Sequence, residues 1–192
     1  MNMARTMAAA DASWFDVDQY DNLDNPDAHF KTLGPEIWNQ TQGTVTHFVA
    51  GGSTGGTISG TGKFLKGQNP DVRCVLADPY GSIFTDYFKT RTHGSPEKFL
   101  VEGVGKGSIP GAMNFDVGLS NVLNVYYGSN DPTLFQVIDS VIQVKDEDAF
   151  QTCHELAKKE GLMVGGSAGL NVFAALELAN SLKVRMVPFF SS

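Results

Sequence analysis

The feature that most constrains this chain is a glycine-rich stretch at residues 51–57, Gly-Gly-Ser-Thr-Gly-Gly-Thr, between an apolar run at 45–50 and a helix-compatible segment. Glycines allow sharp backbone turns and the close approach of a ligand. The first N–H groups of a helix have no intrahelical acceptor, and the helix dipole adds positive potential there. Such a stretch is either a tight connection or a phosphate site, and taken alone it leaves both open.

The surroundings of this stretch predict a βαβ unit. Apolar runs at 45–50 and 72–77 are typical of buried strands, and 57–66 between them is compatible with a helix. Strands joined in this way are parallel and are covered by helices on both faces. We therefore expect an α/β fold with a parallel sheet. Because ligands bind beyond the carboxyl ends of such strands, the glycine-rich stretch lies where a ligand would bind.

Further elements follow from local patterns. Asp24-Asn25-Pro26 is interpreted as a helix N-cap with proline at the first helical position, and Gly34-Pro35-Glu36 as a second helix start. The segment 118–135 is compatible with a small hairpin. The remaining predictions are helices at 3–12, at 146–160 and from Ala168 onward, and strands at 137–144 and 184–187.

Composition excludes several classes of protein. The 192 residues, 42% of them apolar, can bury the core of one domain or slightly more. The net charge of −7 and the lack of a basic patch argue against nucleic acid or anionic membranes as partners. No apolar run approaches the roughly 18 to 20 residues of a membrane span, so a soluble protein is expected.

The cysteines and histidines indicate neither a disulfide framework nor a metal site. Cys74 and Cys153 are far apart, and no histidine is spaced to share a metal with them. The first ten residues lack the charged and apolar regions of a signal peptide. We expect a reducing compartment, either the cytoplasm or an organelle matrix, with no clear targeting signal.

Two nucleotide-binding motifs can be tested directly, and both fail. A P-loop ending in Gly62-Lys63 would need glycine in place of Thr57, and Ser or Thr in place of Phe64. A dinucleotide-binding motif from Gly60 or Gly103 lacks its third glycine, since Leu65 and Ser108 occupy those positions. A phosphate group without a nucleotide is therefore the favoured ligand.

A second glycine- and serine-rich turn lies at residues 165–169, Gly-Gly-Ser-Ala-Gly, at the start of another predicted helix. The simplest interpretation of Ser167 is a helix N-cap whose hydroxyl accepts from a backbone N–H group. If both turns follow parallel strands, they lie at the same edge of the sheet, and Ser167 would face the glycine-rich stretch across one cleft.

These motifs together resemble the cystathionine β-synthase and cysteine synthase family of pyridoxal-phosphate-dependent enzymes, which are fold type II enzymes related to the tryptophan synthase β-subunit. The resemblance runs from residue 19 almost to the end of the chain, and the Gly-Gly-Ser-Ala-Gly form is more similar to cystathionine β-synthase than to the bacterial cysteine synthases. The matching motifs are Asn25-Pro26 with His29, 32–38, 54–57, Asp78-Pro79-Tyr80-Gly81-Ser82, Glu102-Gly103-Val104-Gly105 with Ile109-Pro110, and 165–169.

The resemblance implies roles for the candidate site residues. The family's phosphate-binding loop matches Ser53, Thr54, Gly55, Gly56 and Thr57. The serine that hydrogen-bonds the pyridine nitrogen of pyridoxal 5'-phosphate matches Ser167, and Gly103 and Gly105 match the mouth of the active site. A neutral serine hydroxyl makes the cofactor ring a milder electron sink than a carboxylate would, which favours elimination of a β-substituent.

The resemblance also implies that a catalytic group is missing. The family's Schiff-base lysine, the asparagine beside the cofactor hydroxyl and the substrate-carboxylate loop match a region before the point where this sequence begins. None of the ten lysines lies in that motif. We therefore expect residues 1–192 to be mostly the C-terminal half of the enzyme domain, with no catalytic residue, no metal and no covalently attached cofactor.

Three internal departures from the family pattern are also present. Ser53 replaces a glycine found in many members, which is tolerable if its φ angle is negative. Lys106-Gly107-Ser108 replaces a bulkier stretch, and 118–135 is expected to be an insertion atypical of the family.

Two functions remain open. The chain is part of an enzyme that joins serine or O-acetylserine to a thiol or sulfide, in sulfur amino acid metabolism, and is inactive alone. Alternatively, it is a non-catalytic homologue, a pseudoenzyme, that serves as a structural or phosphate-binding subunit. Because the lost half would uncover apolar surface, either function is expected to require a homo-oligomer or another protein partner.

Overall fold

The computed structural model describes residues 2–115 and 137–182. The predicted hairpin within 118–135 and the predicted strand at 184–187 lie outside the described residues. The elements, in chain order, are α1 (Asn2–Ala10), α2 (Asp24–Lys31), α3 (Leu33–Gln40), β1 (His47–Gly51), α4 (Gly56–Gln68), β2 (Arg73–Pro79), α5 (Phe84–Thr90), β3 (Ser140–Val144), α6 (Asp146–Glu160) and α7 (Gly166–Ser181).

The three described strands form one parallel sheet in the order β1-β2-β3. Val49 pairs with Val75, and Ala77 in turn pairs with Ile142 on the other side of β2. The central strand β2 is buried from its second residue onward, as expected of a strand covered on both faces. The predicted parallel α/β architecture is confirmed.

Helices cover both faces of the sheet. Successive side chains of β2 point to opposite faces, so neighbouring residues of this strand pack into different core clusters. Leu76 packs into a core cluster with Ile58 of α4 and Phe84 of α5. Its neighbour Ala77 packs into the opposite cluster, with Leu170 of α7. The glycine-rich stretch follows β1 and leads into α4, so it lies at the carboxyl edge of this two-sided core.

The sequence misplaced the start of α2 and did not reveal α5. Helix α2 begins at Asp24 with Leu23 as its N-cap, so Pro26 is the third helical residue rather than the first. The Asn25 side chain does not cap the helix, because it is engaged by the glycine-rich stretch. Helix α5 was not predicted, since its seven residues are too few to display a helical period.

The N-cap prediction for Ser167 was also wrong. Helix α7 begins at Gly166, its N-cap is Gly165, and no side chain caps it. Ser167 is therefore the second residue of the first turn. A glycine with extended backbone at the N-cap is an accepted alternative to serine, and it leaves the Ser167 hydroxyl available for another partner.

Candidate functional site

Residues 52–57, which we call the glycine loop, require glycine at a specific position. Gly55 is the N-cap of α4 and has a φ angle of +81°, in the left-handed region that side chains rarely adopt. A Cβ atom at this position would also lie 2.6 Å from the Cα atom of Met113. The loop therefore keeps its shape only with glycine at position 55. The φ angle of Ser53 is not positive, so a serine is tolerated at this position of the loop.

The glycine loop presents backbone donors that find no acceptor in the part of the chain that the structure describes. The N–H groups of Gly55 and Thr57 make no hydrogen bond there, whereas that of Gly56 donates to Thr54 Oγ1 at 3.3 Å. Gly55 is buried and Thr57 is half-buried. Because unpaired buried N–H groups are costly, donors at the positive end of α4 fit an anionic ligand such as a phosphate.

An upstream segment holds the glycine loop from one side. Asn25 Nδ2 donates to Thr54 Oγ1 at 2.9 Å and to the carbonyl of Gln19 at 2.8 Å. Thr57 Oγ1 lies 3.2 Å from Nε2 of His29. The Asn25-Pro26 and His29 motifs therefore contact the loop directly, although 28 or 29 residues separate them from it in sequence.

A downstream segment holds the loop from the other side. The N–H of Gly105 donates to the carbonyl of Gly52 at 2.6 Å. Further along, the N–H of Ala112 donates to the carbonyl of Tyr20 at 2.9 Å, which ties the two supporting segments to each other. The glycine loop is thus held between two other segments of the chain, 19–29 and 103–113.

Gly103 and Gly105, the predicted residues of the site mouth, lie in different surroundings. Both have positive φ angles, +80° and +73°. Nothing lies within 4 Å of a Cβ atom placed on Gly103, so this residue faces open space. A Cβ atom on Gly105 would lie 2.6 Å from Pro79 Cγ. Gly105 therefore supports the bend, and Gly103 is the accessible member of the pair.

Ser167 lies on a helix that reaches the carboxyl end of β1. One turn further along α7, Asn171 Oδ1 lies 3.0 Å from the Cβ position of Gly51, the last residue of β1. This oxygen is buried and has no hydrogen-bond partner within the described residues. The first half of α7 therefore lies beside the start of the glycine loop, although no described strand leads directly into this helix. Asn171 was not singled out in the sequence, because no local pattern distinguishes it.

Asp78, from the Asp78-Pro79 motif, lies near the carboxyl end of β2. Its Oδ2 accepts from the N–H of Thr85 at 2.9 Å and from the hydroxyl of Thr85 at 2.7 Å. Burial raises the pKa of the Asp78 carboxyl, and hydrogen bonds with Ser82 and Thr85 only partly offset this rise. Asp78 thus joins the end of β2 to the first turn of α5 and plays a structural part.

A parallel sheet with a glycine loop at its carboxyl edge, at the start of a helix, is an arrangement in which α/β proteins commonly bind phosphate groups. Residues 1–188 match the family model described as pyridoxal-phosphate dependent enzyme. The chain belongs to this family, as its motifs predicted, and the family implies pyridoxal phosphate as the cofactor.

Individual relatives specify the branch of the family. The chain is 38% identical over 161 residues to the O-acetylserine dependent cystathionine beta-synthase of Bacillus subtilis (strain 168), covering 84% of this chain and 44% of the relative. It is 35% identical over 164 residues to cysteine synthase 3 of Caenorhabditis elegans, covering 85% and 41%. These homologues support the cysteine synthase and cystathionine β-synthase branch.

A solved structure agrees with these relatives. The O-acetylserine dependent cystathionine beta-synthase of Helicobacter pylori superposes with a TM-score of 0.74 at 31% identity, covering 94% of this chain and 50% of the other. The chain thus spans about half the length of the relatives it matches.

The geometry around the glycine loop fits the phosphate end of this cofactor. The unpaired N–H groups of Gly55 and Thr57 suit phosphate oxygens, and the loop has no room for a Cβ atom at position 55. When bound, pyridoxal phosphate supplies an electron sink for chemistry at an amino-acid substrate. Within residues 2–115 and 137–182, no helix is long and apolar enough to cross a membrane, and no three metal-ligating side chains converge.

Proposed function

We propose that this chain is the C-terminal portion of a pyridoxal-phosphate-dependent β-replacement enzyme that joins serine or O-acetylserine to a thiol or sulfide. Ser53, Thr54, Gly55, Gly56 and Thr57 hold the cofactor phosphate, Ser167 meets the pyridine ring, and Gly103 and Gly105 border the substrate mouth. The observation that carries this proposal is the pair of unpaired backbone donors at Gly55 and Thr57 at the start of α4.

The chain alone is inactive under this proposal. β-Replacement needs an amine that forms the covalent link to the cofactor and moves the proton at the substrate's α-carbon. The sequence motif that carries this amine in the family has no counterpart among the ten lysines. We therefore expect residues 1–192 alone to capture the cofactor without turnover.

The experiment is to purify the 192-residue chain, add pyridoxal phosphate, and measure three quantities. These are equilibrium binding of the cofactor, a borohydride-stable lysine adduct by mass spectrometry, and formation of cysteine or cystathionine. The expected result is reversible binding without a stoichiometric adduct and without turnover. A stoichiometric adduct at one lysine together with turnover would contradict the proposed inactivity.

A matched pair of glycine variants tests the glycine loop itself. Gly55→Leu places a side chain against Met113 at a φ angle of +81° and should abolish binding of phosphate and cofactor. Gly67→Ala is the control, because Gly67 is also in α4 and a Cβ atom there meets nothing within 4 Å. Unchanged phosphate binding by Gly55→Leu would remove the phosphate-binding role of the loop.

The alternative is a non-catalytic homologue that acts as a structural or phosphate-binding subunit. The two functions differ when the lysine-bearing half is supplied separately. Co-expression with the half of the Bacillus subtilis relative that this chain does not match should restore turnover if the chain is part of an enzyme. A stable complex that binds phosphate without turnover would favour the subunit role.

Either function includes a requirement for a homo-oligomer or another protein partner. Apolar side chains stand out at Leu100, which is 71% exposed, and at Met163, which is 92% exposed in the extended stretch before α7. Covering such side chains with a partner would remove apolar surface from water, which favours association. Light scattering over a range of concentrations measures the association.

Both cysteines are free, which supports a reducing compartment such as the cytoplasm or an organelle matrix.

A further inference from the structure

Two of the departures from the family pattern meet in space. Ser53 stands in the glycine loop and Lys106 stands in the downstream segment, yet both contact the ring or hydroxyl of Tyr20. The Lys106 ammonium lies 3.3 Å from the centroid of the Tyr20 ring. Lys106 lowers the pKa of the Tyr20 phenol, burial opposes this effect, and the Ser53 hydroxyl adds to the lowering. The two substitutions therefore form one cluster, Lys106–Tyr20–Ser53.

The backbone of Lys106 is fixed by its neighbours. Its N–H donates to Ser82 Oγ at 3.1 Å, and its carbonyl accepts from the N–H of Ile83 at 3.0 Å. The preceding residue, Gly105, donates to the carbonyl of Gly52 at 2.6 Å. The backbone of Lys106 is thus held in place next to a residue that is hydrogen-bonded directly to the glycine loop. The long Lys106 side chain starts from this fixed position.

The carboxylate next to Tyr20 in sequence is engaged with other groups. Asp21 follows Tyr20, and its carboxylate accepts from the N–H of Gly111 at 2.9 Å and pairs with Arg5 at 2.8 Å. These contacts hold the pKa of the Asp21 carboxyl below its usual range. Within the described residues Lys106 is in no ion pair, and its ammonium rests on the Tyr20 ring, so its positive charge is available to an anion at the loop.

We propose that Lys106, positioned by Tyr20 and Ser53, supplies a positive charge to the anion-binding site of the glycine loop and makes it selective for a dianionic phosphate monoester. The inference rests on the proposed phosphate-binding role of the loop. Backbone N–H groups alone are neutral donors, whereas a lysine adds a charge-assisted interaction that strengthens with the charge on the ligand. Tyr20 provides the ring face on which the ammonium rests, and Ser53 provides a second hydroxyl beside the phenol.

The test compares three ligands, inorganic phosphate, pyridoxal phosphate and pyridoxal, on four purified full-length proteins. These are the wild type, Lys106→Met, Lys106→Arg and Lys158→Met. Lys158 lies exposed on α6, so its variant has the same change of charge away from the site. Binding is measured by calorimetry at two salt concentrations, and thermal melts show that each variant is folded.

The expected result is a loss of about 10-fold in affinity for phosphate and pyridoxal phosphate in Lys106→Met at low salt, with a smaller loss at high salt. Pyridoxal binding should be unchanged, and Lys106→Arg and Lys158→Met should resemble the wild type. Tyr20→Phe, which keeps the ring and loses the hydroxyl, should retain most of the affinity.

Two outcomes would overturn this role of Lys106 and leave the glycine loop in place. One is unchanged phosphate affinity in Lys106→Met when Gly55→Leu abolishes it. The other is a borohydride-stable cofactor adduct on Lys106 itself, which would make the lysine the point of attachment instead of a counter-charge. Absence of phosphate binding in the wild type would overturn both the loop proposal and the role of Lys106.

Discussion

Asn25 and Thr54 are joined by a hydrogen bond of 2.9 Å from Nδ2 to Oγ1, although they are 29 residues apart. Thr54 Oγ1 in turn accepts from the N–H of Gly56, at 3.3 Å. A Cβ atom on Gly56 would overlap the Asn25 side chain, so the contact is tight as well as polar. The conformation of the glycine loop therefore depends on one amide group of α2.

Replacing this amide by a carboxylate should weaken anion binding. Asn25→Asp removes the donor to Thr54 and places negative charge beside the loop, so we expect phosphate affinity to fall by about 10-fold or more. Asn39→Asp, an exposed position on α3, is the control for the change in net charge. Calorimetric titration with inorganic phosphate measures both variants, and equal affinities would contradict the dependence of the loop on Asn25.

The ion pair between Lys66 and Asp139 should matter more for stability than an exposed pair. Their charged atoms are 2.7 Å apart and the side chains are 12% and 19% exposed, and Asp139 Oδ2 also accepts from the N–H of Cys74 at 2.7 Å. Asp139→Ala leaves a part-buried cation and a backbone donor without this acceptor, which should cost about 3 kcal/mol of unfolding free energy.

The control for this variant is Glu155→Ala, which breaks the pair with Lys159 on the exposed face of α6. Exposed pairs of this kind contribute about 0.5 kcal/mol or less. Urea denaturation measures both losses. Similar losses in the two variants would show that burial of the Lys66–Asp139 pair has no energetic consequence.

The pH dependence of stability should contain a contribution from Asp78. Burial raises the pKa of its carboxyl, so the folded chain holds this proton more tightly than the unfolded chain does. Its contribution to stability is therefore complete below the ordinary pKa of about 4 and is lost as pH rises through the raised value. In Asp78→Asn this loss is absent.

We therefore expect the unfolding free energy of Asp78→Asn, relative to the wild type, to increase as pH rises above about 4. Urea denaturation at a series of pH values measures the difference, with Asp71→Asn at an exposed position as the control. Parallel curves for Asp78→Asn and the wild type would show that the carboxyl does not titrate differently in the folded state.

Self-association should depend on Met163. This side chain is 92% exposed in the stretch that leads into α7, and Leu162 beside it is 52% exposed. Met163→Ser should lower association as measured by light scattering, because less apolar surface gains from burial. Met3→Ser is the matched control, since Met3 is 77% exposed on α1. An equal decrease in association in both variants would show that the effect is not specific to the stretch before α7.

The sequence was informative where short-range patterns decide the structure. The runs around Val49 and Val75 and the helix between them predicted a βαβ unit, and both strands pair in parallel as expected. The helix at 146–160 was predicted with the bounds that the structure has, because acids at its start, Lys158 and Lys159 near its end, and a C-terminal Gly161 agree with one another.

Other features depend on contacts between distant residues, and no local pattern contains them. The association of Lys106 with Tyr20 joins residues that are far apart in sequence, and it exists only once the downstream segment is folded against the loop. Ser167 was predicted as an N-cap because serine favours that position, but the backbone places Gly165 there. Side-chain preference identified the correct turn and the wrong residue within it.

The hydrogen bond from Gly105 to Gly52 has a consequence for folding. It joins two residues that are distant in sequence, so this support of the glycine loop forms only once both parts of the chain have come together. Contacts of such sequence separation form slowly, because chain closure costs entropy before they contribute. A phosphate that binds only the assembled loop stabilises the whole unit by mass action. The ligand would then act as a folding cofactor for this part of the chain, in addition to any part it has in chemistry.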